Sequence, residues 1–233
     1  MSLANKGSQY QLQKYVNVYT QELNNAILQS SPSLLAFINN SLEIQWKSPL
    51  IEDNYYEYQD DFLKAIITDD IELQKNKLKI QDYWPRRGPV WDGIATVTGQ
   101  DNKKGLLPIE AKAHIDETSS RIKATSDKSR KLIQATLHEV QAIFGSTSSI
   151  DSWLYDYYQL ANRLSFLYLL NEKLHIPTWL VLCNFVNDET HISTDMHEWI
   201  LHYQTIFNRM GIDSNAKLMS KVIMIFISGK NEE

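Results

Sequence analysis

Three residues stand out for the chemistry they could share: Asp92, Glu110 and Lys112. The stretch Trp91-Asp92-Gly93-Ile94-Ala95-Thr96-Val97 and the stretch Leu106-Leu107-Pro108-Ile109-Glu110-Ala111-Lys112 read as two antiparallel strands. They are joined by residues 99–105, which are rich in turn formers. Side chains alternate along a strand, so Glu110 and Lys112 share one face and Ala111 takes the other. With the reversal centred on Asp101 or Asn102, Asp92 lies opposite Glu110 or Lys112, and all three project from one surface. A slip of one residue would send Asp92 to the opposite layer and dissolve the cluster. Two carboxylates held close together repel each other unless a cation or a proton lies between them. An oxygen-rich pair of this kind suits Mg²⁺ or Mn²⁺, with water and phosphate oxygens completing the shell. A neighbouring lysine can orient a metal-bound water and offset charge on a phosphoryl transition state. The competing reading is a strand-borne salt bridge with no catalytic role. The apolar run from Leu106 to Ile109 argues against it, because a charged pair at the end of a strand entering a core needs a partner or a purpose.

Asp92 followed by Glu110-Ala111-Lys112 resembles the PD-(D/E)XK nuclease superfamily, whose members have a restriction-endonuclease-like fold. The wider phrases, residues 84–92 and Ile109-Glu110-Ala111-Lys112-Ala113-His114, resemble a group of bacterial proteins of that type with no assigned function. The likeness spans roughly residues 50 to 190. One departure is that Trp91, rather than proline, precedes Asp92, with Pro89 close by. The resemblance implies a metal held by Asp92 and Glu110, with Lys112 beside the attacking water. It also implies a carboxylate sent from a preceding helix, for which Glu57 is the candidate metal ligand. Gln159 resembles a helix glutamine found near the metal in some members, although the tyrosine expected four residues later is Arg163.

The elements that must position these groups are legible in part. Residues 10–29 carry apolar side chains at helical spacing, and Ser31-Pro32 should break that helix. Ser33 can cap a second helix bearing Leu34, Leu35, Phe37, Ile38 and Leu42, which ends before Pro49. Residues 53–63 read as a capped helix with acidic first turns. After the hairpin, residues 115–144 read as mostly helical and close at Gly145, and a second long helix covers 152–172. Within it Gln159, Asn162 and Arg163 fall on one side. Residues 178–186 form an apolar run typical of a strand buried on both faces. Asp195, with Glu198 three residues later, opens a helix that Gly211 stops, and 222–227 form a last strand. The order implies an α/β fold with a mixed central sheet sandwiched between helices and extra N-terminal helices. Residues 1–48 are expected to be a helical extension and 49–233 the nuclease-like core.

Length and composition set outer bounds. A chain of 233 residues, 43% hydrophobic and 22% charged, can form one sizeable soluble core. It has no apolar run long enough to span a membrane, and its polar start is not a signal peptide. A single cysteine, Cys183, excludes an intrachain disulfide and suits a reducing cytoplasm. The net charge of −5 argues against a generally polyanion-binding surface, so nucleic acid would need a local basic patch. Arg86 and Arg87, with Trp91 beside them to face the ligand, are the better candidates for nucleic-acid contacts. The run Arg121, Lys123, Lys128, Arg130, Lys131 reads more readily as a solvated helix face. His114 could touch substrate, and Arg163 could meet a phosphate or pair with a buried carboxylate. His191, His197 and His202 do not share a helix face, which disfavours zinc.

The expected function is metal-dependent hydrolysis of nucleic acid, DNA before RNA. The alternatives are a non-catalytic nucleic-acid or protein binding module on the same fold, and a toxin or defence component acting with a second protein. A homodimer or partner contact through the N-terminal helices is compatible with either.

Overall fold

Turn chemistry and strand alternation set the centre of the fold. The computed structural model describes residues 3–38 and 42–230. Its N-terminal helices are α1 (Gly7–Asn17), α2 (Thr20–Gln29) and α3 (Pro32–Phe37), followed by strand β1 (Ile44–Ser48) and helix α4 (Asp70–Tyr83). The hairpin is β2 (Gly93–Thr98) and β3 (Lys104–Lys112), then come α5 (Asp127–Ile143), α6 (Tyr158–Tyr168), β4 (Leu180–Val186), α7 (Met196–Met210) and β5 (Val222–Ser228). The five strands lie in sequence order in one mixed sheet: β1, β2 and β3 are antiparallel neighbours, and β3, β4 and β5 run parallel. Helices cover both faces. Leu12, Tyr15, Leu23, Ile27 and Leu34 of α1–α3 pack on the face carrying Ala95, Ile109, Cys183 and Ile225. The other face, with Ile94, Leu106 and Leu182, lies under α4–α7 in a larger core built around Trp91, Trp153 and Trp199. Among the described residues no helix is long and apolar enough to cross a membrane.

Several expected elements change shape. The N-terminal helix breaks between α1 and α2, where Asn17 is diverted: its amide donates to Pro49 O at 2.8 Å and its oxygen accepts from Ile51 N at 2.9 Å. Ser31, not Ser33, caps α3, through a 3.2 Å hydrogen bond from Leu34 N. That helix ends at Phe37, residues 39–41 lie outside the described residues, and 44–48 is the edge strand β1 rather than helix. Residues 53–63 are not a helix, because Asn54 and Tyr55 take left-handed backbone (φ 52° and 55°), and only a short 3₁₀ turn, Phe62–Ala65, follows. Residues 115–125 leave helical geometry after the turn Ile115–Thr118, and α5 begins only once Ser126 caps it.

The long helix expected over 152–172 is interrupted at Tyr157, and the interruption has a partner. Ser120 N donates to Asp156 O at 2.8 Å, Tyr158 N donates to Ser120 O at 3.1 Å, and Ile122 N donates to Leu154 O at 2.8 Å. Residues 120–122 thus lie strand-like against the break. Ser120 Oγ also accepts from Gln159 N at 2.7 Å, capping the start of α6. The helix α7 follows the sequence closely. Asp195 and Glu198 exchange reciprocal 2.8 Å bonds to each other's backbone N–H, and Gly211 at φ 64° closes the far end. Asp195→Ala should lower unfolding free energy by about 1 kcal/mol in urea titrations, and an unchanged midpoint would show that the cap contributes nothing.

Candidate active site

The hairpin register decides whether the acidic pair forms. Gly93 pairs with Ile109 and Thr98 with Lys104, which sets Asp92 across from Glu110. Asp92 Oδ2 accepts a 2.8 Å hydrogen bond from Ala111 N, so the acid is tied to the neighbouring strand midway between Glu110 and Lys112. Lys112 Nζ stands 2.5 Å from Glu110 Oε1. Apart from that contact, Oε1 has no hydrogen-bond partner among the described residues. The three groups anticipated from spacing alone therefore do converge, on the sheet face covered by α5–α7.

A fourth group joins them. Arg163, one turn into α6, donates from Nε to Glu110 Oε2 at 2.6 Å, from one terminal nitrogen to Asn162 Oδ1 at 2.9 Å, and from the other to Val90 O at 2.7 Å. Its guanidinium lies 4.7 Å from the centre of the Trp91 ring. Of the two roles open to Arg163, the structure has the pairing with a buried carboxylate. Trp91 serves the same assembly from beneath: it is fully buried, packed on Phe62 and Phe166, and it supports the arginine rather than facing a ligand as expected.

Burial and the charge of Glu110 push the Asp92 carboxyl up to about 7, against the opposing pull of Lys112, the Ala111 N–H and Arg163. Burial acts in the same sense on Glu110, but Arg163 and Lys112 outweigh it and hold that carboxyl below the ordinary glutamate range. Burial draws the Lys112 ammonium down, and the two carboxylates more than restore it, so Lys112 stays protonated.

Asp92 opens onto a cleft of about 730 Å³. One wall is residues 84–90, tied to the 59–60 turn where Asp60 accepts from Arg87 N (3.0 Å) and Gly88 N (2.9 Å) and Gln59 donates to Gly88 O (3.1 Å). The other wall is the segment from Ser120 to the start of α5. The floor is the first two turns of α6. Five cations, Arg86, Arg87, Arg121, Lys123 and Arg163, line it against one carboxylate, Asp92. In a chain of net charge −5 this is a local reversal of sign. Arg121 and Lys123, which the sequence suggested were a solvated helix face, are on non-helical chain before α5 and belong to the cleft. Behind Asp92, Glu110 and Lys112 line a separate cavity of about 20 Å³ with Thr118, Gln159 and Tyr203, enough for one water. Gln159 borders both spaces.

Two further candidates lie elsewhere. Glu57 is not on a helix, and its Oε1 accepts from Gln9 Nε2 of α1 at 2.7 Å. His114 is buried, with Nε2 3.3 Å from Glu117 Oε1 and its ring 5.2 Å from that of His191, and it does not line the cleft. Ser120 and Asp60, which set the two walls, carried no sequence signal of that role, since both fell in stretches expected to be helical.

The donor set fits a hard divalent ion in a minimal way. Asp92 and Glu110 supply two carboxylates whose mutual repulsion a cation would relieve. Among the described residues no group of three or more His, Cys, Asp or Glu is placed to hold a metal, so water and substrate oxygens would have to complete the shell. The chain matches no family model, no curated protein and no solved structure.

Proposed function

We propose that the protein is a metal-dependent phosphodiesterase of nucleic acid, of the PD-(D/E)XK kind that Asp92 and Glu110-Ala111-Lys112 resemble. The observation that carries this reading is the hairpin register, which joins Asp92, Glu110 and Lys112 beside a cation-lined cleft. Asp92 and Glu110 would hold Mg²⁺ or Mn²⁺, which supplies an acidified water and positive charge at the phosphoryl oxygens. Lys112, protonated and buried, orients water in the small cavity and offsets negative charge on the phosphate. Arg86, Arg87, Arg121 and Lys123 attract and align the polyanion. Gln159, between cleft and cavity, positions water against substrate.

A second reading has its own observation. Glu110 is already neutralised by Lys112 and Arg163, as a purely structural ion network would require. On this reading the fold is a binding module for nucleic acid without turnover.

Incubation with labelled DNA and Mg²⁺ or Mn²⁺ separates the two. Cleavage is expected, abolished by EDTA and reduced about a hundredfold or more in Asp92→Ala and Lys112→Ala. Cleavage that is undiminished in both variants refutes the assignment of these residues. DNA binding that survives EDTA, with no cleavage under either ion, establishes the binding module.

A further inference from the structure

The cleft has two chemistries, and they belong to different parts of a nucleotide. Its rims carry Arg86, Arg87, Arg121 and Lys123, all exposed and without an ion pair among the described residues. Between them lies an apolar, aromatic strip: Tyr158 at the start of the floor is half-buried and Val90 at the end of the adjoining wall is 40% exposed, with Trp84 packed behind Tyr158, their ring centres 6.3 Å apart and the planes inclined at 31°. Cations meet phosphates, and an aromatic strip meets the face of a base. A duplex cannot use both, because its base faces are stacked inward and only backbone and groove edges reach a protein. The reactive groups impose the same choice. Glu110 and Lys112 are almost wholly buried behind Asp92, so the phosphate must descend into the cleft to reach them. At about 730 Å³ the cleft lies in the range of small-ligand pockets and has room for about one or two nucleotides, not a turn of double helix.

From this geometry we infer that the ligand of the cleft is a single polynucleotide strand, unpaired at the point of entry, with phosphates on the paired basic rims and a base against Tyr158 and Val90. The inference rests on the cleft being a nucleic-acid site, as proposed above, and it adds which form of nucleic acid enters. Arg87 on one wall and Lys123 on the other are its gripping residues, outside the acidic cluster.

Fluorescence anisotropy of the full chain with a labelled 12-nucleotide DNA strand, the same sequence in RNA, and the blunt DNA duplex tests it in EDTA, where cleavage is suppressed. At least one single strand should bind about tenfold tighter than the duplex. The double variant Arg87→Gln/Lys123→Gln should lose about tenfold or more and lower the slope of log affinity against log salt by about 1.4, the release expected for two contacts to a single strand. Tyr158→Leu should weaken strand binding while leaving that slope unchanged, because a base contact carries no counterions. Duplex binding equal to or tighter than strand binding, a wild-type affinity for the double variant, or no binding of any probe overturns the inference. Adding Mn²⁺ keeps the two proposals apart: a strand bound but never cut removes the hydrolytic reading alone, and a blunt duplex cut internally removes the single-strand reading alone.

Discussion

Arg163→Met is expected to lower the unfolding free energy by about 3–5 kcal/mol, the loss typical when one partner of a buried ion pair is removed. Methionine keeps much of the stem that packs on Trp91 and deletes only the charge and the donors. Glu110 would then remain buried with Lys112 as its one remaining ion-pair partner among the described residues, and Val90 O and Asn162 Oδ1 would each lose a donor. Urea unfolding reads the effect. The informative comparison is Glu110→Gln/Arg163→Met, in which the stranded carboxylate is also neutral. The double variant should lose clearly less than the two single losses combined, because each single variant exposes the cost of the partner left behind. Additivity within about 0.5 kcal/mol would mean that the 2.6 Å contact between these side chains does not couple them. The same variant probes the acidic pair directly. With Arg163 gone, Glu110 Oε2 loses its donor and can accept a cation instead, so 1–10 mM Mn²⁺, on the order of millimolar affinity, should restore more stability to Arg163→Met than it adds to wild type. No shift in either protein would argue that no cation binds between the carboxylates, and equal shifts that Arg163 does not compete with the ion for Glu110.

This network also shows what the sequence made legible and what it hid. The hairpin could be read because turn-forming residues and alternation constrain each other: once the reversal is centred near Asp101, the face of every residue from Gly93 to Lys112 follows. Strand β4 announced itself as an unbroken apolar run, and α7 by a capping pair at one end and Gly211 at the other. The edge strand β1 is short and half-exposed, so its Ile44-Gln45-Trp46-Lys47-Ser48 pattern was absorbed into the preceding helix. Helix α4 was not anticipated, because its apolar residues do not segregate: Ile71 and Leu78 are exposed while Asn76 is buried. Residues 53–63 have helix-compatible composition, yet two consecutive left-handed residues prevent it, a tertiary demand that local propensity does not express. The pairing of Glu110 with Arg163 joins positions 53 apart, and the burial of Trp91 beneath that arginine depends on packing from α6. Types and spacing could nominate Arg163 but could not decide between a phosphate and a carboxylate.

Asp92→Asn should stabilise the metal-free protein at neutral and alkaline pH, and the gain should vanish in acid. The folded-state carboxyl titrates near 7 against a reference of 3.8, because burial and the facing Glu110 charge disfavour its ionised form. A raised carboxyl binds its proton more tightly in the folded than in the unfolded chain. Stability is therefore fully present below about pH 4, falls as pH rises through about 7, and is level above that. The interval from 3.8 to about 7 corresponds to at most about 4 kcal/mol. Asparagine can still accept the hydrogen bond from Ala111 N and carries no charge to desolvate, so the variant escapes that decline. Thermal unfolding of both proteins in EDTA from pH 4 to pH 9 should give curves that meet at the acid end and separate progressively, with the variant higher by several degrees at pH 8. Parallel curves would mean that the Asp92 carboxylate is well solvated and under no electrostatic pressure from Glu110. Divalent ion then reverses the order for a physical reason: a cation that neutralises the pair stabilises only the chain that keeps both carboxylates. Saturating Mn²⁺ at pH 8 should raise the wild-type midpoint and leave Asp92→Asn nearly unmoved. The cost that burial and Glu110 impose on the Asp92 carboxylate, and the divalent-ion affinity proposed for the pair, would thus have a single origin, two acids that strand register holds face to face.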